Sequence, residues 1–318
     1  MARLAGVSHQ TVSRYLRFEG GLKPDTMERV ETAIRQLDYR PNLVARSMRT
    51  RRTGRLAIVI PAMAFSPARM LAGASAAAAE SGYMIEVVSV GGIQERTERL
   101  LELADSGQVE GILSLAPVLP SSERRAAEGV AVVVSTDFDD SMRSIGELAD
   151  GAPVAELMTR LAEWGHRRFY HVAGAPEFAS ARGRRQTYAD TIERLGLDNV
   201  GVFDGDWSGE SGVEAIRRLS PDNLPTAVIA ANDVVAAGVI RGASERGLDV
   251  PGDLSVTGWD NQTIGQFIQP SLTTVDIDLE GLGRRGMCRL VAAVRGEAAP
   301  SWAAAMTSVI WRESTAAP

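Results

Sequence analysis

From Leu56 to Trp259 the chain repeats one unit: a short apolar run, a turn, then a stretch with apolar residues at helical spacing. The run Leu56-Ala-Ile-Val-Ile60, just before Pro61, is continuous rather than alternating, as in a strand covered on both faces. It predicts a strand. Helical spacing follows over about 67–81, a strand over 83–90, a helix over 95–107, a strand over 111–115, a helix over 121–128 and a strand over 130–134. After Asp150 the alternation starts again, with helices at 153–164, 182–195, 209–219 and 234–246 and strands at 168–173, 200–204, 227–230 and 254–259. Strands separated by helices pair in parallel, so the pattern predicts doubly wound parallel sheets. Two such α/β units in tandem predict two lobes, with the cleft between them as the default ligand site.

The first eighteen residues follow a different rule. They predict a helix, a turn at Gly6, and a second helix from His9 to about Phe18 with Ser8 as its N-cap. Val12, Tyr15 and Leu16 stand at i, i+3 and i+4, which gives that helix one apolar face. Its other face carries His9, Gln10, Ser13, Arg14 and Arg17, donor-rich side chains of the kind that read base edges and phosphates. A solvated amphipathic helix would look similar. A third helix opens at Pro24-Asp25, with Met27, Val30, Ala33, Ile34 and Leu37 on one face. Tyr39-Arg40-Pro41-Asn42 and the basic run from Arg46 to Arg55 come next.

These residues resemble one family. A-G-V-S-x-x-T-V-S-R at 5–14, L-x-Y-x-P-N at 37–42 and V-A-R-S-M at 44–48 are similar to the headpiece and hinge of LacI/GalR-type transcriptional regulators, of the lactose-repressor-like branch. The resemblance implies an N-terminal all-α helix-turn-helix headpiece over 1–42, a hinge helix or linker over 43–55, and a two-lobed, periplasmic-binding-protein-like core over 56–318. Lobe 1 is expected at about 56–148 and 276–306, and lobe 2 at about 149–275 and 307–318. It further implies that Ser8, His9, Gln10, Thr11, Ser13 and Arg14 meet DNA from the headpiece, and Asn42, Val44, Ala45 and Met48 from the hinge. Leu43, Val44, Ser47 and Met48 suit one face of a short helix that is marginal alone. Met48 stands where the family wedges an apolar side chain, usually Leu, into the minor groove. A plain basic linker is the alternative. Family headpieces begin several residues earlier than this chain, so a native start upstream of Met1, or a shortened first helix, is expected.

Charge separates the two parts. Residues 1–55 hold twelve Lys and Arg against five Asp and Glu, a net of +7, whereas the whole chain carries −6. A basic module on an acidic body suits a polyanion as the partner of the module alone. Cys288 is the single cysteine, so an intramolecular disulfide is excluded, which fits a reducing cytoplasm. No signal-like N-terminus and no apolar run of spanning length is present. The histidines have no zinc-like spacing, and no nucleophile elbow, P-loop or dinucleotide fingerprint occurs. No enzyme and no cofactor is expected.

The resemblance also implies an effector site. Phe178, Ser180 and Arg184 lie in G-A-P-x-F-x-S-x-R-x-R, and Arg184 matches the family arginine that grips the effector. The other reading for Arg182, Arg184 and Arg185 is a solvated helix start. Trp207 in G-D-W-S matches an aromatic against the ligand, with a core tryptophan as the alternative. Asn232 is expected to bond a ligand hydroxyl, and Asp233 equally to cap the next helix. Asp260 in G-W-D-N matches the family's ligand carboxylate. Phe65, Pro67 and Leu279 match cleft-facing positions. Leu279 stands where an aromatic is usual, and Asp137 is a substitute for an acid expected near Ser135. The function implied is a homodimeric, cytoplasmic repressor of carbohydrate-utilisation genes, released from operator DNA by a small saccharide, a galactoside being one candidate. The alternatives are a co-repressed or activating regulator answering to a non-sugar effector such as a nucleobase, and a sugar-binding protein without DNA function. The C-terminus lacks apolar heptads for a tetramerising coil.

Overall fold

The computed structural model describes residues 1–16, 21–38, 52–61, 67–120, 130–139, 143–302 and 305–318, with Glu147 described by its backbone only. Two compact units result, residues 1–54 and 55–318.

The first unit contains α1 (Ala2–Ala5), α2 (His9–Leu16) and α3 (Pro24–Gln36). Gly6 ends α1 at φ 61°, a left-handed conformation that costs glycine little. The Ser8 hydroxyl accepts from the Thr11 backbone N–H at 3.0 Å, which caps α2 as the sequence indicates. Ala2, Ala5, Val12, Val30 and Ala33 form the core of this unit, with Val7, Tyr15, Leu16 and Ile34 packed on it. The Tyr15 hydroxyl donates to Glu31 Oε1 at 2.8 Å and pins α2 to α3.

The second unit has two parallel sheets. The first contains β1 (Arg55–Pro61), β2 (Met84–Val90), β3 (Gly111–Ser114) and β4 (Ala131–Val134), in the order β2-β1-β3-β4. Its helices are α4 (Pro67–Glu80) and α5 (Ile93–Ser106). The second sheet contains β5 (Arg168–Ala173), β6 (Asp198–Asp204), β7 (Ala227–Ala230) and β8 (Ser255–Thr257), in the equivalent order β6-β5-β7-β8. Around it lie α6 (Ala152–Trp164), α7 (Ala179–Leu195), α8 (Gly209–Arg217) and α9 (Asp233–Glu245). Alternate residues of one strand feed opposite layers. Leu56, Ile58 and Ile60 join one apolar cluster, and Ala57 and Val59 join another. Ala227 and Ile229 likewise part from Val228 and Ala230. Burial on both faces is why these strands read as continuous apolar runs.

After β8 the chain forms β9 (Thr274–Ile277), α10 (Leu279–Arg295) and β10 (Thr307–Ile310), with β9 and β10 antiparallel to each other. Helix α10 returns to the first sheet and packs on α4, β3 and β4. Its contact with α4 is backbone to backbone. A Cβ on Gly73 would overlap the Glu280 carbonyl, and one on Gly283 would overlap that of Met70. The last residues return to the second sheet, where Val256 N–H donates to the Ser314 carbonyl at 2.8 Å.

Boundaries move where side chains, not periodicity, decide them. Helix α7 begins at Ala179 rather than 182, so Ser180 lies within it. The strand expected over 254–259 shortens to Ser255–Thr257: beyond it Gly258 and Asp260 N–H donate to the Thr273 and Val275 carbonyls, both at 2.8 Å, and the backbone then turns through positive φ at Asp260 (97°) and Asn261 (46°). The helix expected over 121–128, the hinge residues Asn42, Val44, Ala45 and Met48, and Phe65 lie outside the described residues.

Candidate functional site

In the first unit, the polar face of α2 leaves Ser8, His9, Gln10 and Arg14 exposed, with Thr11 and Ser13 half-buried. The Ser8 and Thr11 hydroxyls bond each other at 2.8 Å, so both are held at the helix start. His9 and Gln10 are the next side chains along the exposed first turn. That is where a helix end-on in a major groove presents base-reading groups.

In the second unit, the expected effector residues gather at the C-terminal ends of the second sheet's strands. This is the edge where open parallel sheets bind ligands. Phe178, Ser180 and Arg184 follow β5, Trp207 follows β6, Asn232 follows β7, and Asp260 follows β8. Arg184 is only 4% exposed. One of its Nη groups donates to the Ala231 carbonyl, bridging β5 and β7, where the strand order reverses. Its guanidinium lies 3.8 Å from the Trp259 ring centroid and 5.8 Å from that of Trp207. The solvated reading of the arginine cluster therefore fails for Arg184. Its neighbours differ: Arg182 donates to the Pro176 and Glu177 carbonyls at 2.9 and 2.6 Å, and Arg185 pairs with Asp204.

Trp207 is 8% exposed and packs with Phe178, edge to face at 6.1 Å, and with Ala175, Ala181 and Ala231. Its indole lies flat on Gly174, where a Cβ would collide with the ring. Its backbone is at φ 72°. Positive φ on a bulky residue and on Asp260 costs on the order of 1–3 kcal/mol each, strain that tends to collect at ligand sites. The tryptophan is thus both packed and poised, since its indole N–H is buried with no acceptor.

Asp260 holds the opposite charge. Burial pushes its carboxyl up to about 7. The Arg184 charge opposes this, Asp233 adds to it, and Arg143 opposes it. Among the described residues Asp260 and Arg184 form no direct ion pair, so each keeps bonding capacity for a third party. Burial in turn lowers Arg184 to about 10, Asp260 opposing and Arg143 reinforcing.

Two expectations need correction. The cap of α9 is Asn232 rather than Asp233: Asn232 Oδ1 accepts from Val235 N–H at 2.8 Å, and its amide faces the Trp207 carbonyl at 3.5 Å. Its acceptor is therefore committed to the helix. Asp233 instead receives the Thr274 hydroxyl at 2.5 Å and the Gln262 N–H at 2.6 Å, tying the loop after β8 to the crossing strand β9. Asp137 does not stand in at the cluster. It accepts from the Ser135 hydroxyl at 2.8 Å and shares with Arg285 and Arg289 a separate cavity of about 70 Å³ beneath α10. Pro67 and Leu279 open α4 and α10, and Leu279 packs against the same large apolar cluster that contains Trp259.

Two residues join the site unannounced. Trp259 lies one position before Asp260 in G-W-D-N, and its neighbour is the signal for it. Arg143 has no such signal. It follows β4 of the first sheet, yet its guanidinium lies 4.8 Å from the Trp207 ring and 5.3 Å from that of Phe178.

The raised carboxyls fix a pH dependence. Asp260 and Asp233, lifted to about 7 and about 6, hold protons better folded than unfolded. Their contribution to stability is full below the ordinary carboxylate range and is lost as pH rises through 6 and 7. Urea midpoints measured from pH 4 to 8 should therefore fall for the native chain relative to Asp260→Asn. Parallel curves would remove the buried-carboxyl assignment.

A helix-turn-helix unit joined to an α/β unit with a ligand-type site at its strand ends defines a DNA-binding regulator of the effector-responsive class. Residues 1–42 match the bacterial regulatory proteins of the lacI family, and residues 158–315 the periplasmic binding protein-like domain. The transcriptional regulator CelR of Thermobifida fusca is 31% identical over 93% of this chain and 91% of its own. A Lac repressor dimer bound to operator and the anti-inducer ONPF superposes with a TM-score of 0.74 at 27% identity, covering 99% of this chain and 97% of that one. The CelR–cellobiose complex gives 0.63 at 28% identity, over 98% of each chain. This chain belongs to the lacI family of DNA-binding transcriptional regulators.

Proposed function

We propose that this protein is a repressor of carbohydrate-utilisation genes, acting in the cytoplasm and released from its operator by a small saccharide bound at the Arg184–Trp207–Asp260 cluster. The observation that carries this reading is the pairing of aromatic faces with unsatisfied polar groups. Trp207 Nε1, Trp259 Nε1 and Arg184 Nε are all buried without an acceptor. Buried donors of this kind are costly unless something bonds them. A saccharide offers ring oxygens and hydroxyls to the donors, hydroxyl protons to Asp260, and C–H faces to the indole. The CelR–cellobiose complex and the Lac repressor dimer on operator are consistent with both halves of the reading.

His9, Gln10 and Arg14 are proposed to read bases, and Ser8, Thr11 and Ser13 to position the helix on phosphates. A homodimer presents two headpieces to a near-palindromic site. Ile264 and Phe267, 63% and 76% exposed on one turn, are the apolar surface proposed for that interface.

The test is direct. Duplexes retained by the full chain are selected from a random pool, and the bound complex is challenged with mono- and disaccharides. Release without consumption of the sugar is the expected result. Retention that no saccharide changes, or tightening by the sugar, would overturn the reading.

A further inference from the structure

Two cations share one indole in this site. Arg143 from the first sheet and Arg184 from the second lie 4.8 and 5.8 Å from the Trp207 ring centroid. Both Nε groups are buried and have no hydrogen-bond partner. Each guanidinium also feels the other: the charge on Arg143 works against protonation of Arg184. The one carboxylate that acts on Arg184 is Asp260, and among the described residues it is in direct ion-pair contact with neither arginine. Like charges gathered around one buried indole are unfavourable unless an anion joins them. A planar guanidinium fork is the donor set best matched to a carboxylate or phosphate.

We propose that Arg143 is a specificity-determining residue, and that with Arg184 it makes the site select saccharides bearing an acidic group, a carboxylate or a phosphate, over their neutral counterparts. This rests on the saccharide reading above and narrows it. The division of labour follows the chemistry of the groups. The guanidiniums take the anionic substituent, Trp207 takes an apolar sugar face, and Asp260 takes hydroxyl protons. Arg143 also comes from the other lobe. An acid bridged between it and Arg184 holds the first sheet's segment against the second sheet's strand ends, so the selecting contact is also one that favours a particular lobe arrangement.

The experiment is a calorimetric titration of the full chain with matched pairs: galacturonate and galactose 6-phosphate against galactose, and glucuronate and glucose 6-phosphate against glucose. Lactose, cellobiose and inorganic phosphate complete the set. At least one acidic sugar is expected to bind on the order of 10- to 100-fold more tightly than its neutral partner. The uronate and phosphate arms tell which acid is taken. Arg143→Gln should weaken the acidic sugar more than its neutral partner, shrinking the preference to the part that Arg184 alone supplies, while Arg143→Lys keeps more of it. Thermal denaturation shows that each variant is folded, and Arg143→Lys carries the test if the glutamine variant is not. Neutral sugars that bind as tightly as acidic ones, an Arg143→Gln loss equal for both, or inorganic phosphate binding as well as any sugar phosphate would each overturn the inference. Neutral sugars that release the operator when acidic ones do not would overturn it while leaving the saccharide reading intact. If no sugar of either kind binds, both fall.

Discussion

Asp260→Asn should give a protein that grips its operator and no longer lets go. The substitution keeps the shape of the side chain and tolerates the positive φ at this position, 97° in the native chain. It removes the charge and one of two acceptor oxygens. Ligand hydroxyls that lose their acceptor in a buried site lose more than the bond itself, because their desolvation is no longer offset. An effector can shift a two-state equilibrium only by its differential affinity for the two states, typically a coupling of about 1–3 kcal/mol, or roughly 5–150-fold in operator affinity. The variant should lose that whole factor while its operator affinity without effector stays native. Fluorescence anisotropy on a labelled duplex, with and without the releasing sugar, measures both. Normal release at the native sugar concentration would sink the assignment of Asp260 to the effector.

A path from site to lobe junction is visible. Asn261, adjacent to Asp260, donates its amide to Asp276 Oδ1 at 3.0 Å, and Arg69 of α4 reaches the same carboxylate at 3.0 Å. Arg312 donates to the Asn261 side-chain amide oxygen at 2.7 Å. The loop that carries Asp260 is thus fastened to a helix of the first sheet through β9. If a ligand moves Asp260 as proposed, this chain of bonds is the route by which it would reach α4.

The second large effect is in salt. The headpiece and hinge together carry +7, and the rest of the chain is acidic, so DNA affinity is expected to come from residues 1–55 and from phosphate neutralisation. Log affinity should fall linearly with log salt. If a dimer makes roughly 6–10 phosphate contacts, operator affinity should drop about 10³–10⁵-fold between 50 and 200 mM monovalent salt. Non-specific duplexes should show a comparable slope, because phosphate contacts carry no sequence information. A titration that stays nearly flat over that range would show that the basic segment does not face DNA.

Much of this molecule was legible before any coordinate. Gly6, the Ser8 cap and the Val12 stripe specify the headpiece helices by local chemistry that needs only three or four neighbouring residues. The continuous apolar runs at 56–60 and 227–230 announce strands buried on both faces, and both appear as β1 and β7. Arg184, Trp207 and Asp260 are carried by motifs whose spacing survives in one chain, and all three meet at the strand ends. Capping could not be divided between Asn232 and Asp233 from their order alone. That choice depends on Thr274 and Gln262, more than 25 residues downstream, which claim the Asp233 carboxylate.

Periodicity and side-chain type report what a residue does to its own turn of helix or its own strand, and those interactions are short in sequence. They therefore gave the headpiece helices, the basic N-terminal segment and most strands and helices of the two parallel sheets in order, but not β9, α10 or β10. Contacts between segments are set by how the two sheets close on each other, and no local pattern encodes that. Only the tertiary structure brought Arg143 from behind β4 onto the indole of Trp207, placed Trp259 under the Arg184 guanidinium, and left buried donors without acceptors between them. The charge balance of a site is a sum over everything within a few ångströms, which is why the sequence could propose the effector residues but only the fold could bring a second arginine, Arg143, beside them.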